Sequence, residues 1–130
     1  MNEFTLLVKS GVAAVGGFIA YWLGGIDQLL TALLVMAVLD YSTGLLAAWQ
    51  SKTLSSQIGF KGIIKKIMTL AVVVLAYTVE GLAGVPLREI TIMFFVVNEA
   101  LSILENAAKT GLPIPKKLQE VLQQLKGKDD

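Results

Sequence analysis

Four long apolar segments dominate the sequence and limit the folds that the chain can adopt. They cover about residues 6–26, 29–49, 63–85 and 90–107. Each is close to the roughly 20 residues that a helix needs to cross the hydrocarbon core of a bilayer. A chain of 130 residues cannot bury four such segments in a soluble globule, because small domains keep a large surface. We therefore expect a membrane protein.

The apolar segments favour helices over strands. They are continuous, without the period-two alternation of a barrel strand, and only helices and closed barrels satisfy their backbone groups inside a membrane. Glycines, a proline or a polar stretch separate them, at residues 24–25, 50–62 and 84–86. We predict an all-α membrane protein, with a bundle of about four transmembrane helices in residues 1–112 and a cytoplasmic tail in residues 113–130. Three spans are the alternative, because the first segment is short and glycine-rich.

Lysines are concentrated in the connection between the second and third segments and in the tail. Under the positive-inside rule both regions are cytoplasmic, and four spans then place both chain termini in the cytoplasm. The lysines near the segment ends are interpreted as cytoplasmic anchors rather than as partners of intramembrane acids. These anchors are Lys61, Lys65, Lys66, Lys116 and Lys117.

Polar residues recur at helical spacing in the fourth segment. Five of them share one helix face, and Glu99 and Asn106 widen the same stripe. The five are Thr91, Asn98, Ser102, Glu105 and Lys109. The opposite face is apolar and suits lipid or a neighbouring helix.

The other segments repeat this pattern more weakly. The second carries Ala37, Asp40, Gly44, Ala47 and Ser51 on one face, and the third carries Thr69, Ala76, Glu80 and Gly84. In the first segment, small residues recur every fourth position, a spacing that lets membrane helices approach closely. These close-packing candidates are Gly16, Ala20 and Gly24.

Acidic residues inside apolar segments require an explanation, because a charge at mid-bilayer costs roughly 2.5–3.5 kcal/mol on insertion scales. One interpretation is that Asp40, Glu80 and Glu99 are protonated or tie helices together by hydrogen bonds. A second is that they line a water-filled lesion in some state of an oligomer. A third is a specific proton or ion relay. The residue pattern leaves all three open.

Several function classes have no support in the sequence. The chain has no cysteine and no histidine, which excludes a disulfide framework, a Cys/His zinc site and a Ser-His or Cys-His nucleophile pair. No phosphate-binding glycine loop or metal-ligand cluster is evident, so we expect neither enzymatic activity nor a cofactor. The net charge of +1 gives no reason to expect nucleic acid.

The tail has two open interpretations. Its apolar residues recur at helical spacing, which suits a short amphipathic helix that lies on the anionic inner leaflet or pairs with other copies. These residues are Leu118, Val121, Leu122 and Leu125. A solvated, charged tail is the alternative.

Residues 40–67 and 98–125 contain a recurring set of short motifs. They are Asp40 with Thr43 and Gly44, Ser55-Ser56, Gly62 with Lys65-Lys66, Asn98-Glu99, the run Ser102 to Asn106, and Pro113 with Pro115. With these motifs the chain resembles the toxin-secretion/phage-lysis holin family, typified by clostridial phage holins and the clostridial toxin-release holin.

The resemblance implies a function. Such proteins accumulate in the bacterial cytoplasmic membrane, oligomerise, and open timed lesions that release or activate a cell-wall hydrolase or export a large protein toxin. The implied partners are copies of the chain and membrane lipids, with the hydrolase or toxin needing no direct contact. Two other classes stay open: a small homo-oligomeric ion or proton channel or transporter, and a membrane anchor or scaffold that recruits a partner through its tail.

Overall fold

A computed structural model describes residues 2–127 of the chain and contains five α-helices in that range. They are α1 (Glu3–Trp22), α2 (Gln28–Gln50), α3 (Ser56–Ala83), α4 (Leu87–Lys109) and α5 (Lys116–Lys126). No strand occurs between residues 2 and 127, in agreement with the predicted helical class. The last residues of the predicted tail, 128–130, lie outside the described range.

Side-chain caps mark the starts of α1, α2 and α3, and those of α2 and α3 bear on the site. The Asp27 carboxylate accepts a hydrogen bond from the Leu30 amide at 2.9 Å and so starts α2. The Ser55 hydroxyl accepts one from the Ile58 amide at 3.2 Å and starts α3 at Ser56. Such caps satisfy amides that have no partner in the first helical turn. Helix α3 therefore begins before the predicted apolar span at residue 63, and its first turns lie in the polar stretch assigned to the connection.

The α1–α2 turn corrects the predicted close-packing face of the first segment. Helix α1 ends at Trp22 rather than near residue 26, and Gly24 and Gly25 have φ angles of +87° and +94°. Glycine adopts this left-handed region without the steric cost that other residues meet. Gly24 consequently belongs to a turn and does not extend the helical face of Gly16 and Ala20. It is nevertheless a position of close packing, because a Cβ there would lie 2.6 Å from Arg88 Nε and 2.9 Å from Tyr77 Cδ1.

Helix α4 is the centre of the packing. It lies along α2, which is its most extensive contact, and also contacts α3 and α5, whereas α2 and α3 contact each other much less. The apolar core is small and lies among α2, α3, α4 and the end of α1. It consists of Leu23, Leu30, Leu33, Val73 and Ile92. Helix α1 contributes no buried residue of its own, so the compact unit is α2–α3–α4.

The helices α1, α2 and α3 are long and apolar enough to cross a membrane by length and composition. Helix α4 matches α2 in length, at 23 residues, but polar residues such as Asn98 and Glu99 interrupt it. Two exposed tryptophans lie near opposite ends of α2, Trp22 before its start at the end of α1 and Trp49 in its last turn, as is typical of residues at the two membrane interfaces. These features support a helical membrane protein, and four spans stay a prediction.

Candidate functional site

One lysine joins three helices inside the bundle. The Lys66 ammonium on α3 donates a hydrogen bond to Asp40 Oδ2 on α2 and another, at 2.6 Å, to Glu99 Oε2 on α4. The three side chains are only 17%, 9% and 5% exposed, respectively. We call Asp40, Lys66 and Glu99 the ion cluster.

The position of Lys66 corrects its predicted role. The interpretation that Lys66 is an anchor and not a partner of the acids is wrong, because its ammonium contacts both carboxylates. Helix α3 begins at Ser56, which places Lys66 almost three turns inside the helix at 3.6 residues per turn. The neighbouring Lys65 is exposed, and its anchoring role stays a prediction. The Ser55 cap is the sequence signal that would have shown the true depth of Lys66.

Asn106 on α4 extends the cluster toward the end of the bundle. Its Nδ2 donates to Asp40 Oδ1 at 3.1 Å, to the Asp40 carbonyl oxygen at 3.2 Å and to Thr43 Oγ1 at 3.0 Å. Gly44 lies beside this amide, and a Cβ at Gly44 would be in ordinary van der Waals contact with Asn106 Nδ2 at 3.5 Å. The amide thus links α4 to both the backbone and the carboxylate of α2.

The charges of the ion cluster are buried but paired. Buried charges are costly unless they are paired and hydrogen-bonded, and every buried side-chain nitrogen or oxygen in residues 2–127 has a partner. Two carboxylates share one ammonium, so the fully ionised cluster carries one negative charge. Removing one member of a buried pair typically costs about 3–5 kcal/mol. The cluster therefore holds α2, α3 and α4 together. If these helices separated, its charged side chains would have to be hydrated.

A second polar network closes the other end of the bundle around Arg88. The Arg88 side chain is buried, and its Nε donates to the Leu23 carbonyl oxygen at 2.6 Å. Its Nη1 donates to Asp27 Oδ2 at 2.7 Å and its Nη2 to the Gly25 carbonyl oxygen at 2.8 Å. The Arg88 amide donates to Glu80 Oε1 at 3.1 Å. This Arg88 clamp joins the α1–α2 turn to the α3–α4 hairpin.

The clamp changes the acidity of Asp27. The hydrogen bond from Arg88, followed by that from the Leu30 amide, holds the pKa of the Asp27 carboxyl below its ordinary value. The Asp27 side chain is 51% exposed, so solvent screens this ion pair. No sequence pattern had marked Arg88 or Asp27 as site residues. The topology was the available signal, because both connections lie at the same end of the bundle.

The structure shifts the buried face of α4 relative to the predicted stripe. Four of the five buried side chains of α4 share one face, and Val97 lies on the opposite side. The four are Arg88, Ile92, Glu99 and Asn106, with Thr91, Asn98 and Ser102 half-buried beside them. Glu105 and Lys109 are exposed and belong to neither network. Glu105 is therefore not part of a helix interface within the protomer, and its assignment to a pore stays a prediction.

The other residues predicted to line a pore or to pack closely lie at the two ends of the bundle and on α1. Thr43 and Gly44 border Asn106, whereas Glu80 belongs to the Arg88 clamp. Gly16 is exposed, and a Cβ there would meet nothing within 4 Å. Within residues 2–127, no group of three or more acidic, histidine or cysteine side chains is placed to hold a metal ion.

Comparisons with known proteins agree on one family. The sequence model of the bacteriophage holin family matches residues 17–127. An uncharacterized 14.9 kDa Clostridium perfringens protein is 39% identical over 98% of this chain and 99% of its own length. A probable holin of Bacillus phage phi105 is 34% identical over 85% of this chain and 83% of its own length. No solved structure matches. The resemblance inferred from the motifs is thus confirmed, and the chain belongs to the bacteriophage holin family.

Proposed function

We propose that the chain is a holin that self-associates in the bacterial cytoplasmic membrane and opens timed lesions. These lesions release or activate a cell-wall hydrolase, and a large protein toxin is the alternative cargo. Family membership and the probable holin of phage phi105 support the proposal. The observation that carries the mechanism is the ion cluster, because it places ionisable side chains between helices of membrane-spanning length.

The mechanism is a two-state assembly. In the closed state, α2, α3 and α4 keep their polar side chains against one another, as Asp40, Lys66 and Glu99 do in the protomer. In the open state, the same side chains line water in a ring of many copies. Membrane potential biases the two states when charge moves across the field, which is worth about 2.3 kcal/mol per elementary charge and 100 mV. The proposed orientation has both termini in the cytoplasm.

The proposed activity needs no catalytic group and no cofactor, and members of the holin family are generally non-enzymatic. The direct partners are other copies of the chain and membrane lipids. The hydrolase or toxin depends on the lesion for passage or activation without binding to the holin.

Inducible expression in a bacterium, with and without a cytoplasmic wall hydrolase, tests the proposal. We expect abrupt lysis after a fixed delay only when the hydrolase is present, together with release of folded reporter proteins of graded size. A small ion channel built from the same acids would depolarise the cells but retain every folded reporter. Retention of both reporter and hydrolase after depolarisation would therefore contradict a large lesion.

Charge-neutral variants test the role of the polar residues. Asp40→Asn, Glu99→Gln and Glu105→Gln are each expected to change the time of lysis at equal protein levels. Glu89→Gln is the matched control, because Glu89 is exposed, lies outside both networks and, unlike Glu105, is not on the polar stripe of α4. An unchanged time of lysis in all three test variants would contradict the mechanism.

Deletion of residues 112–130 distinguishes the scaffold alternative from the lesion mechanism. A scaffold that recruits its partner through the tail would lose all activity, whereas the lesion mechanism predicts mainly a shift in timing. The measurements are the onset of lysis and the amount of protein in the membrane fraction.

A further inference from the structure

Helices α2 and α3 leave a groove between them that contains two adjoining cavities. One, of about 610 Å³, lies toward the α2–α3 connection and reaches α4. The other, of about 320 Å³, lies between α2 and α3 farther from that connection. Tyr41 and Lys66 line both cavities. The two cavities together are called the α2–α3 groove.

The cavity near the connection is cationic. Lys65 and Lys109 line it, together with the hydroxyls of Ser51 and Ser102. Lys66 is already engaged by Asp40 and Glu99, whereas neither Lys65 nor Lys109 forms an ion pair within residues 2–127. Asp40 also lines this cavity, but its carboxylate is engaged by Lys66 and Asn106. The two lining ammonium groups without an ion pair are therefore those of Lys65, inside α3, and Lys109, at the end of α4.

The deeper cavity is apolar over most of its wall. Its lining includes Leu33, Leu34, Val38, Ile67 and Leu70. The order of the two cavities follows the helices: the cationic one uses residues 40–51 of α2, and the apolar one uses residues 33–42. Along the groove, the ammonium groups of the cationic cavity are thus followed by aliphatic side chains toward the middle of α2. Tyr41 lines both cavities, and its hydroxyl donates to the Gly59 carbonyl oxygen of α3 at 3.1 Å.

We propose that the α2–α3 groove binds one anionic phospholipid, with its phosphate between Lys65 and Lys109 and an acyl chain in the apolar cavity. The arrangement matches such a lipid in charge and in the order of its polar and apolar parts. Both volumes fall in the range of about 300–1,000 Å³ that is typical of small-molecule sites. Anionic lipids attract basic residues at the cytoplasmic leaflet. The proposal rests on the membrane location of the chain but not on lesion formation.

Native mass spectrometry of the purified full-length protein in mild detergent tests the headgroup site. Phosphatidylglycerol and phosphatidylethanolamine are added at equal concentration, and the retained lipid is measured. We expect preferential retention of phosphatidylglycerol and about a tenfold loss in the double variant Lys65→Gln/Lys109→Gln. Lys65→Arg/Lys109→Arg should keep the preference, because it keeps both charges.

A matched control separates the groove from general surface charge. Lys52→Gln/Lys126→Gln removes two exposed lysines that line neither cavity and should leave lipid retention at the level of the parent protein. Circular dichroism of each variant checks that the helices are intact. Equal retention of the two lipids, or an equal loss in the control pair, would overturn the proposal.

The acyl-chain site needs its own variant. Ala37→Phe fills the apolar cavity and should reduce retention of phosphatidylglycerol, whereas Leu39→Phe changes an exposed residue outside the lining and should not. Glycerol phosphate, which has no acyl chain, should bind far more weakly than the lipid. Equal binding of glycerol phosphate would indicate a free-phosphate site and overturn the lipid assignment. Cross-links that place a second copy in the groove would also overturn the lipid assignment. Since no readout is lysis, failure here is distinct from failure of the holin proposal.

Discussion

Lys66 donates a hydrogen bond to Glu99 Oε2 at 2.6 Å, and this contact connects α3 to α4. The same ammonium also binds Asp40 of α2. Helices α2 and α3 have little direct contact with each other. The lysine therefore supplies a link that apolar packing between these two helices does not. A change at this position should act on all three helices at once.

Replacing Lys66 with methionine is expected to destabilise the closed bundle. The substitution keeps a long side chain but leaves the carboxylates of Asp40 and Glu99 without their ammonium, and breaking a buried pair in this way costs about 3–5 kcal/mol. The measurements are the thermal unfolding temperature in detergent and the lysis time at matched expression. We expect a lower unfolding temperature and earlier lysis, or loss of the protein from the membrane.

Two further variants isolate the charge effect at Lys66. Lys61→Met removes an exposed lysine from the same helix and should leave the unfolding temperature unchanged. The triple variant Lys66→Met/Asp40→Asn/Glu99→Gln removes every charge of the ion cluster and should recover part of the lost stability. If the triple variant were less stable than Lys66→Met alone, unpaired carboxylates would not be the cause.

The Arg88 clamp predicts a dependence on acidic pH. The pKa of Asp27 in the folded chain lies below its ordinary value of 3.8, so the folded state binds this proton less readily than the unfolded state does. The stabilisation is therefore complete above the ordinary pKa and is lost as pH falls through the folded pKa. Because the side chain is half exposed, we expect a contribution under about 1 kcal/mol.

Asp27→Asn tests this pH dependence while keeping the helix cap. Asparagine still supplies an oxygen for the Leu30 amide, while the charge and the Oδ2 acceptor of the Arg88 hydrogen bond are removed. Unfolding temperatures of the two proteins should differ most near pH 7 and approach each other as pH falls below the ordinary Asp27 pKa of 3.8. A constant difference over the whole range would exclude ionisation of Asp27 as the source.

Gly24 is expected to tolerate no side chain. Its φ is +87°, and a Cβ would lie 2.6 Å from Arg88 Nε and 2.9 Å from Tyr77 Cδ1. Gly25 is the matched control, because its φ of +94° imposes similar backbone strain but a Cβ there meets nothing within 4 Å. Gly24→Ala should lower the unfolding temperature more than Gly25→Ala, and an equal effect would attribute the loss to backbone strain alone.

Hydropathy predicted much of the fold because the physical requirement is simple: a membrane-spanning segment must be long, apolar and internally hydrogen-bonded. It located α2 closely, and the spacing of Asp40, Gly44 and Ala47 predicted the face that packs on α4. The start of α3 was missed because the Ser55 cap lies in a polar stretch. Because of this single error, Lys66 was predicted at the start of the helix, although it lies inside the bundle.

Tertiary pairing was harder to predict than helix faces. A periodic stripe identifies a polar side of α4, but the stripe is broad, and the spacing did not show that Glu99 and Asn106 lie nearer its buried centre than Glu105 does. Arg88 illustrates a different limit. Its partners Leu23 and Gly25 offer backbone carbonyls, which carry no signature in the sequence.

The exposed glycines of α1 provide a test of contacts between copies. Within the protomer, α1 contacts only α3 among the described helices, and a Cβ at Gly16 meets nothing within 4 Å. Gly16→Leu should therefore leave the unfolding temperature of the protomer unchanged. If small residues at Gly16 and Ala20 bring copies together, as this spacing does in other membrane helices, the variant should reduce cross-linking between copies and delay lysis. Gly11→Leu is the matched control, because Gly11 also has no neighbour within 4 Å but lies on a different face of the helix. An equal delay in both variants would point to a general effect of bulk on α1 instead of a specific face.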